Sequence, residues 1–230
     1  MKVALIADIH SNLEALNAVM KDIEKQGLKQ ILCLGDIVGY GANPNECCGI
    51  IREKKILSVQ GNHDMNAVDM KNLDWYNEYA APALRWTNSK LTNENKDFLK
   101  ALPKMNSVNV GGKVMLLVHG SLESPLYGYV FPKTSDSELG IMMLRSKSNI
   151  LVMGHTHMPM VRRIEHGTII NPGSVGQPRD NIPDASYALL DTQMTKVTII
   201  RVKYDIDSAA KKIITAGLPR YLADQLYKGQ

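Results

Sequence analysis

With 230 residues, 44% of them hydrophobic and 22% charged, the chain is long and apolar enough to bury a full core, and its composition argues against disorder and membrane spanning. The formal net charge of +4 is mild, and Lys and Arg are scattered, so a nucleic-acid surface gains little support. Cys33, Cys47 and Cys48 form no CxxC pair, and the apolar stretch 3–7 is too short for a signal peptide; both features lead us to expect a cytoplasmic protein.

Residues 3–7 read as a buried strand, after which Leu13, Leu16, Val19, Met20 and Ile23 recur at helical spacing up to Gly27. A second strand over 31–34 leads through Gly39-Tyr40-Gly41 into a helix that Asn43 would cap, with Pro44 in its first turn. Residues 56–59 give a third strand. This alternation predicts a parallel sheet with right-handed crossovers. Residues 65–103 turn helical, with Trp75, Tyr76, Tyr79, Leu84 and Trp86 read as packing anchors and Thr92 as the N-cap of a second helix. Residues 106–110 and 113–118, joined by Gly111-Gly112, read as a hairpin that delivers His119. The stretch 121–133, rich in Pro, Gly and Tyr, reads as a loop over the site. Ser135-Asp-Ser-Glu138 is a capping box that opens a helix, and a strand over 149–153 follows it. A hairpin over 160–164 and 168–170, strands over 185–190 and 197–202, and a terminal helix capped by Asp207 complete the chain. The second half is expected to be largely antiparallel, and residues 1–230 to form a single domain.

One pattern recurs, an apolar run followed by metal-ligand residue types: Asp8-Ile9-His10, Gly35-Asp36, Gly61-Asn62-His63-Asp64, His119, and Gly154-His155-Thr156-His157. A lone His at an apolar edge is usually structural, but five strand-end motifs together weaken that explanation. Asp8 and His10, like His155 and His157, are two residues apart, which on an extended segment points each pair to one side. Two Asp, one Asn and four His converging on one edge would be costly without a metal to pair them. Imidazole with carboxylate and amide oxygen suits Mn, Fe, Co, Ni or Zn better than Mg or Ca. The lack of Cys in the set argues against a structural zinc site. Seven ligands exceed the needs of one ion that keeps a water, so two divalent transition-metal ions are expected. His166, in the turn Glu165-His166-Gly167, reads as surface.

In order and type, these motifs resemble those of the calcineurin-like metallophosphoesterases from residue 8 to residue 157. Asn171-Pro-Gly-Ser-Val-Gly-Gln-Pro-Arg179 further resembles their small prokaryotic, phosphodiesterase-like branch. The resemblance implies an α/β fold, a four-layer α/β/β/α sandwich of two mixed β-sheets flanked by helices. Carried over residue by residue, it implies Asp8, His10 and His157 at a first metal, Asn62, His119 and His155 at a second, and Asp36 bridging them. His63 would stay unligated and assist the leaving oxygen. The implied reaction is hydrolysis of a small-molecule phosphate ester by in-line attack of a metal-activated water, with manganese foremost among the metals.

One departure separates the chain from many relatives, including the phosphoprotein phosphatases, which read Gly-Asp-x-x-Asp-Arg-Gly. Here the stretch is Gly35-Asp36-Ile37-Val38-Gly39-Tyr40-Gly41. The absent Asp removes the usual carboxylate partner of His63, and the absent Arg removes a bidentate grip on phosphate. Protein phosphatase activity is therefore disfavoured, and phosphodiesters are expected over monoesters. Gly39, Tyr40, Asn12 and Arg179 are the expected substrate contacts instead. Two rival readings remain: a non-catalytic scaffold of the same fold, against which the intact ligand set argues, and a nuclease, against which the mild charge argues.

Overall fold

The computed structural model describes residues 1–230. Two five-stranded sheets form its centre. The first has the strand order β10-β9-β1-β2-β3, built from β1 (Lys2–Ile6), β2 (Ile31–Cys33), β3 (Leu57–Ser58), β9 (Ala185–Asp191) and β10 (Lys196–Val202). The second has the order β4-β5-β6-β8-β7, from β4 (Met105–Val110), β5 (Lys113–Val118), β6 (Ile150–Val152), β7 (Met160–Ile164) and β8 (Gly167–Asn171). Both are mixed: β1, β2 and β3 run parallel, as do β5, β6 and β8, while β9, β10, β4 and β7 pair antiparallel. The second half is thus less antiparallel than its hairpins suggest, because β6 inserts parallel to both neighbours.

The period of two in each strand sorts side chains between layers. Val3, Leu5 and Ala7 join Leu32, Leu34, Met115, Leu117, Ile150 and Val152 in a core between the sheets. Ala4 and Ile6 point the other way, into a core shared with α1 (Leu13–Lys25), α2 (Pro44–Glu53), α3 (Asn62–Asp69), α4 (Ala80–Lys90) and α5 (Asn93–Ala101). Leu151 and Met153 face α6 (Asp136–Ser146) on the far side of the second sheet. The result is the four-layer α/β/β/α sandwich. A pair of helices, α7 (Ile206–Thr215) and α8 (Arg220–Lys228), packs through its own apolar cluster against Ala83 and Trp86 of α4.

Several local expectations hold. Thr92 accepts from the Asn95 N–H, Ser135 and Glu138 form the capping box, and the Gly111-Gly112 hairpin is present. Others are corrected. The Asn43 amide donates to Glu46 instead of capping α2, which starts on the preset φ of Pro44. Asp205, not Asp207, caps α7 by accepting from the Ser208 N–H, and Asp207 accepts from Tyr227 of α8. No helix is long and apolar enough to cross a membrane.

Candidate metal centre

The carboxyl ends of β1, β2, β3, β5 and β6 lie along one edge and deliver the sequence motifs there, as ligand sites form in α/β sheets. The backbone that does so is not extended. Asp8, His10, Asp36, His155 and His157 have φ of 54°, 48°, 51°, 68° and 58°, so five of the seven candidate ligands adopt the left-handed conformation. The two-residue spacing therefore converges through tight turns, not through strand alternation. Each such residue costs about 1–3 kcal/mol and persists only where its surroundings fix it. Here the turns pin one another: Asp8 N–H donates to Gly35 O, His10 N–H to Asp36 O, Gly176 N–H to Asp8 O and Gly154 N–H to His119 O. Gly61 completes the packing, since a Cβ there would lie 2.1 Å from Asp36 Oδ1.

The seven side chains fall into two buried groups, Asp8, His10, Asp36 and His157, and Asp36, His119 and His155 joined by Asn62. Asp36 belongs to both: its Oδ2 lies 3.5 Å from His10 Nε2 and 3.3 Å from His119 Nε2. Its Oδ1 accepts the His63 N–H at 2.8 Å. In the first group His10 Nδ1 meets Val38 O at 3.2 Å and His157 Nδ1 meets Gln177 O at 2.5 Å. A carbonyl only accepts, so both Nδ1 atoms carry the proton and both Nε2 atoms present lone pairs. Those two Nε2 atoms face each other at 3.0 Å, with Asp8 Oδ1 3.7 Å from that of His157. Burial pushes both imidazoles well below their usual range, so neither gains a second proton near neutral pH. Converging lone pairs beside two carboxylates are what a divalent cation requires, and the residues present fit one.

The second group differs. His119 Nδ1 meets Leu34 O at 2.8 Å, and its Nε2 stands 3.0 Å from Asn62 Oδ1 and 3.1 Å from His155 Nδ1. Burial opposes its charge, but Asp36 and Asp8 outweigh burial and lift His119 to about 9. Without metal, therefore, a proton occupies the position of a cation. Burial pushes His155 down to about 3, and its Nε2 has no partner. Burial works against Asp36 too, yet the charge and hydrogen bond of His119 hold its carboxyl well below the carboxylate range; Asp8, raised mainly by burial, lies at about 7.

The other predicted contacts separate. His63 sits on the cleft side, its ring 4.5 Å from that of Tyr40, and its Nδ1 has no partner. A Cβ at Gly39 would lie 2.5 Å from that Nδ1, so the position where relatives carry Asp is filled by the imidazole itself. Arg179 donates to Gln177 Oε1 at 2.8 Å and to the Tyr40 hydroxyl at 3.3 Å, and both Tyr40 and Arg179 line the cleft. Asn12 does not line it: its side chain caps α1 and donates to Gly176 O, which commits it to holding the turn.

Residues 1–195 match the model of the calcineurin-like phosphoesterase superfamily domain. The chain belongs to that superfamily. An uncharacterised protein of Methanocaldococcus jannaschii is 43% identical over 244 aligned residues, covering 99% of this chain and 98% of its own. Phosphodiesterase YfcE of Escherichia coli is 26% identical over 86% of this chain and 91% of its own. The crystal structure of a metallophosphoesterase from Sphaerobacter thermophilus superposes with a TM-score of 0.87 at 33% identity, covering 100% of this chain and 99% of the other.

This phosphoesterase domain also uses residues to which the sequence reading gave no site role. Asp64 accepts from the N–H groups of Ile37, Val38 and Gly61, tying the Asp36 turn to α3; its place in Gly61-Asn62-His63-Asp64 was the available signal. Tyr76, read as a packing anchor, accepts from Asn62 Nδ2 at 2.7 Å and so aims Oδ1 at His119. Trp75, Tyr76 and Tyr79 all line the cleft, as do Tyr127 and Tyr129 of the 121–133 loop, whereas Leu126 of that loop is buried in the fold.

Proposed function

We propose that the protein is a phosphodiesterase, acting on small phosphodiesters with two divalent transition-metal ions, manganese foremost. The observation that carries this is the facing pair of His10 and His157 Nε2 lone pairs beside Asp36 Oδ2, the atom common to both groups. Two ions held by the seven ligands would supply Lewis-acid polarisation of the phosphoryl oxygens and an activated water for in-line attack. The chain's own groups orient and select. Val38 O, Gln177 O and Leu34 O fix the imidazole tautomers, and Asp36 spans the two groups. His63, which burial pushes down to about 4, meets the leaving oxygen as a neutral N–H donor. Arg179 and Tyr40 line the cleft, from where they would contact the phosphate. The core shared between the two sheets supports reading residues 1–230 as one domain, and three buried, unpaired cysteines support a cytoplasmic setting.

Substrate choice follows from Gly39 and Tyr40. A monoester dianion needs one more strong charged contact than a diester, and the single Arg179, already bonded to Gln177, supplies less than an additional Arg fork would. That contact is worth about 1.5–3 kcal/mol, or about one to two decades in kcat/KM. The metal-loaded protein should therefore favour an aryl phosphodiester over the matching monoester by about 10–100-fold. Equal values would remove Gly39 and Tyr40 as determinants of substrate class. No turnover of either, with two ions bound, would favour the non-catalytic scaffold.

A further inference from the structure

Above the candidate ligands opens a cleft of about 530 Å³, within the range of about 300–1,000 Å³ typical of small-molecule sites. Its walls hold six of the nine tyrosines together with Trp75, which is 70% exposed. They come from four places: the loop after β2, the turn after α3, the loop after β5, and α8. The last lies beyond residue 195, where the match to the superfamily domain ends. Tyr221 of α8 stacks on Tyr79 at 4.1 Å and 15°, Trp75 meets Tyr127 edge-on at 5.5 Å, and Tyr129 lies over His155 at 4.1 Å. Four amide side chains besides Asn62 share the lining; Asn77 accepts from the Tyr79 and Ala80 N–H groups, Gln230 donates to Asn181, and the other two have free groups. Gln225 of α8 is 6% exposed and its side chain bonds to no protein group, and Gln177 spends its Oε1 on Arg179 while its Nε2 remains free. Apart from the candidate ligands, Arg179 is the only charged side chain on the walls.

We infer that this cleft binds the nucleoside of a small nucleoside phosphodiester, the base stacking on the aromatic walls and its edge pairing with Gln225. This inference deepens the phosphodiesterase reading and rests on it for the position of the phosphate. Exposed rings accept the flat face of any base, and a buried carboxamide offers a donor and an acceptor together, the pattern that matches a base edge. A plain aryl or alkyl group would leave Gln225 without a partner. A polyphosphate would need more cations than Arg179 alone. One phosphate with a neutral, planar, hydrogen-bonding substituent meets all three conditions.

The test uses the metal-loaded full chain and two esters with a common leaving group, thymidine 5′-(4-nitrophenyl) phosphate and methyl 4-nitrophenyl phosphate. Binding of thymidine 5′-methylphosphonate and methyl methylphosphonate, both monoanionic, is measured in parallel by calorimetry. The nucleoside member of each pair should be favoured about ten-fold or more, and Gln225→Ala and Trp75→Ala should each shrink that ratio several-fold. Because Trp75 is largely exposed, its removal keeps the fold readable even if Gln225→Ala does not. Equal hydrolysis of both esters with no preference in binding overturns the nucleoside site and leaves the phosphodiesterase reading standing. Hydrolysis of neither ester, with the nucleoside analogue still bound preferentially, does the reverse. A dinucleotide and a ten-nucleotide single strand should compete equally; a ten-fold gain with length would assign the cleft to a strand end and overturn the small-molecule proposal.

Discussion

The two ligand groups share one carboxylate oxygen but are held differently. In the first, burial leaves both imidazoles neutral, and the backbone carbonyls of Val38 and Gln177 turn their lone pairs inward. In the second, only His119 leans on a carbonyl, and the carboxylates that surround it keep it protonated up to about 9. His155 keeps an unpartnered Nε2, and Asn62 depends on a tyrosine hydroxyl for its orientation. The same residue types thus build one site already shaped for a cation and one that must first release a proton.

Breaking the shared atom should have the largest effect. Asp36→Asn should lower bound metal from about two ions per chain towards one or none, with loss of activity, as read by elemental analysis; two retained ions with normal turnover would exclude a bridging role. Removing one group at a time sharpens the comparison. His157→Ala leaves the second group, whose His119 sheds its proton only near pH 9, so its metal affinity should rise about ten-fold from pH 7.5 to 8.5. His155→Ala leaves the first group, where Asp8 at about 7 is already mostly ionised, so the change should be less than about three-fold. Among the substitutions, Tyr76→Phe should cost the least metal affinity, since it removes no ligand: it frees Asn62 and should weaken only the second ion, by about ten-fold.

What could be read from the sequence follows the same division. Ligand types at strand ends are a local signal, and Asp8, His10, Asp36, Asn62, His119, His155 and His157 do converge. The means of convergence was not legible, because left-handed turns at Asp8, His10, His155 and His157 depend on hydrogen bonds between loops far apart in the chain. The strand and helix periods pointed to an α/β start with a parallel sheet and the family resemblance implied the four-layer sandwich, while the insertion of β6 parallel to β5 and β8 is a long-range pairing that no local period encodes. Of the aromatic walls, Tyr40 and the 121–133 loop that carries Tyr127 and Tyr129 were expected at the site, and the rest were missed for a similar reason. Trp75, Tyr79 and Tyr221 resemble packing residues in their own segments and become a cleft only where α8 meets the turn after α3.

The difference between the groups can be measured in one titration. Metal-free protein at pH 8 is titrated with Mn²⁺ by calorimetry in two buffers of different ionisation enthalpy, so that proton release appears as a buffer-dependent heat. Two ions per chain should bind, and the step that fills the second group should release about one proton from His119 in addition to any that metal-bound water gives up, whereas the imidazoles of the first group release close to none. A single ion per chain, or the same proton release at both steps, would contradict the pairing of one preformed and one proton-filled site around Asp36.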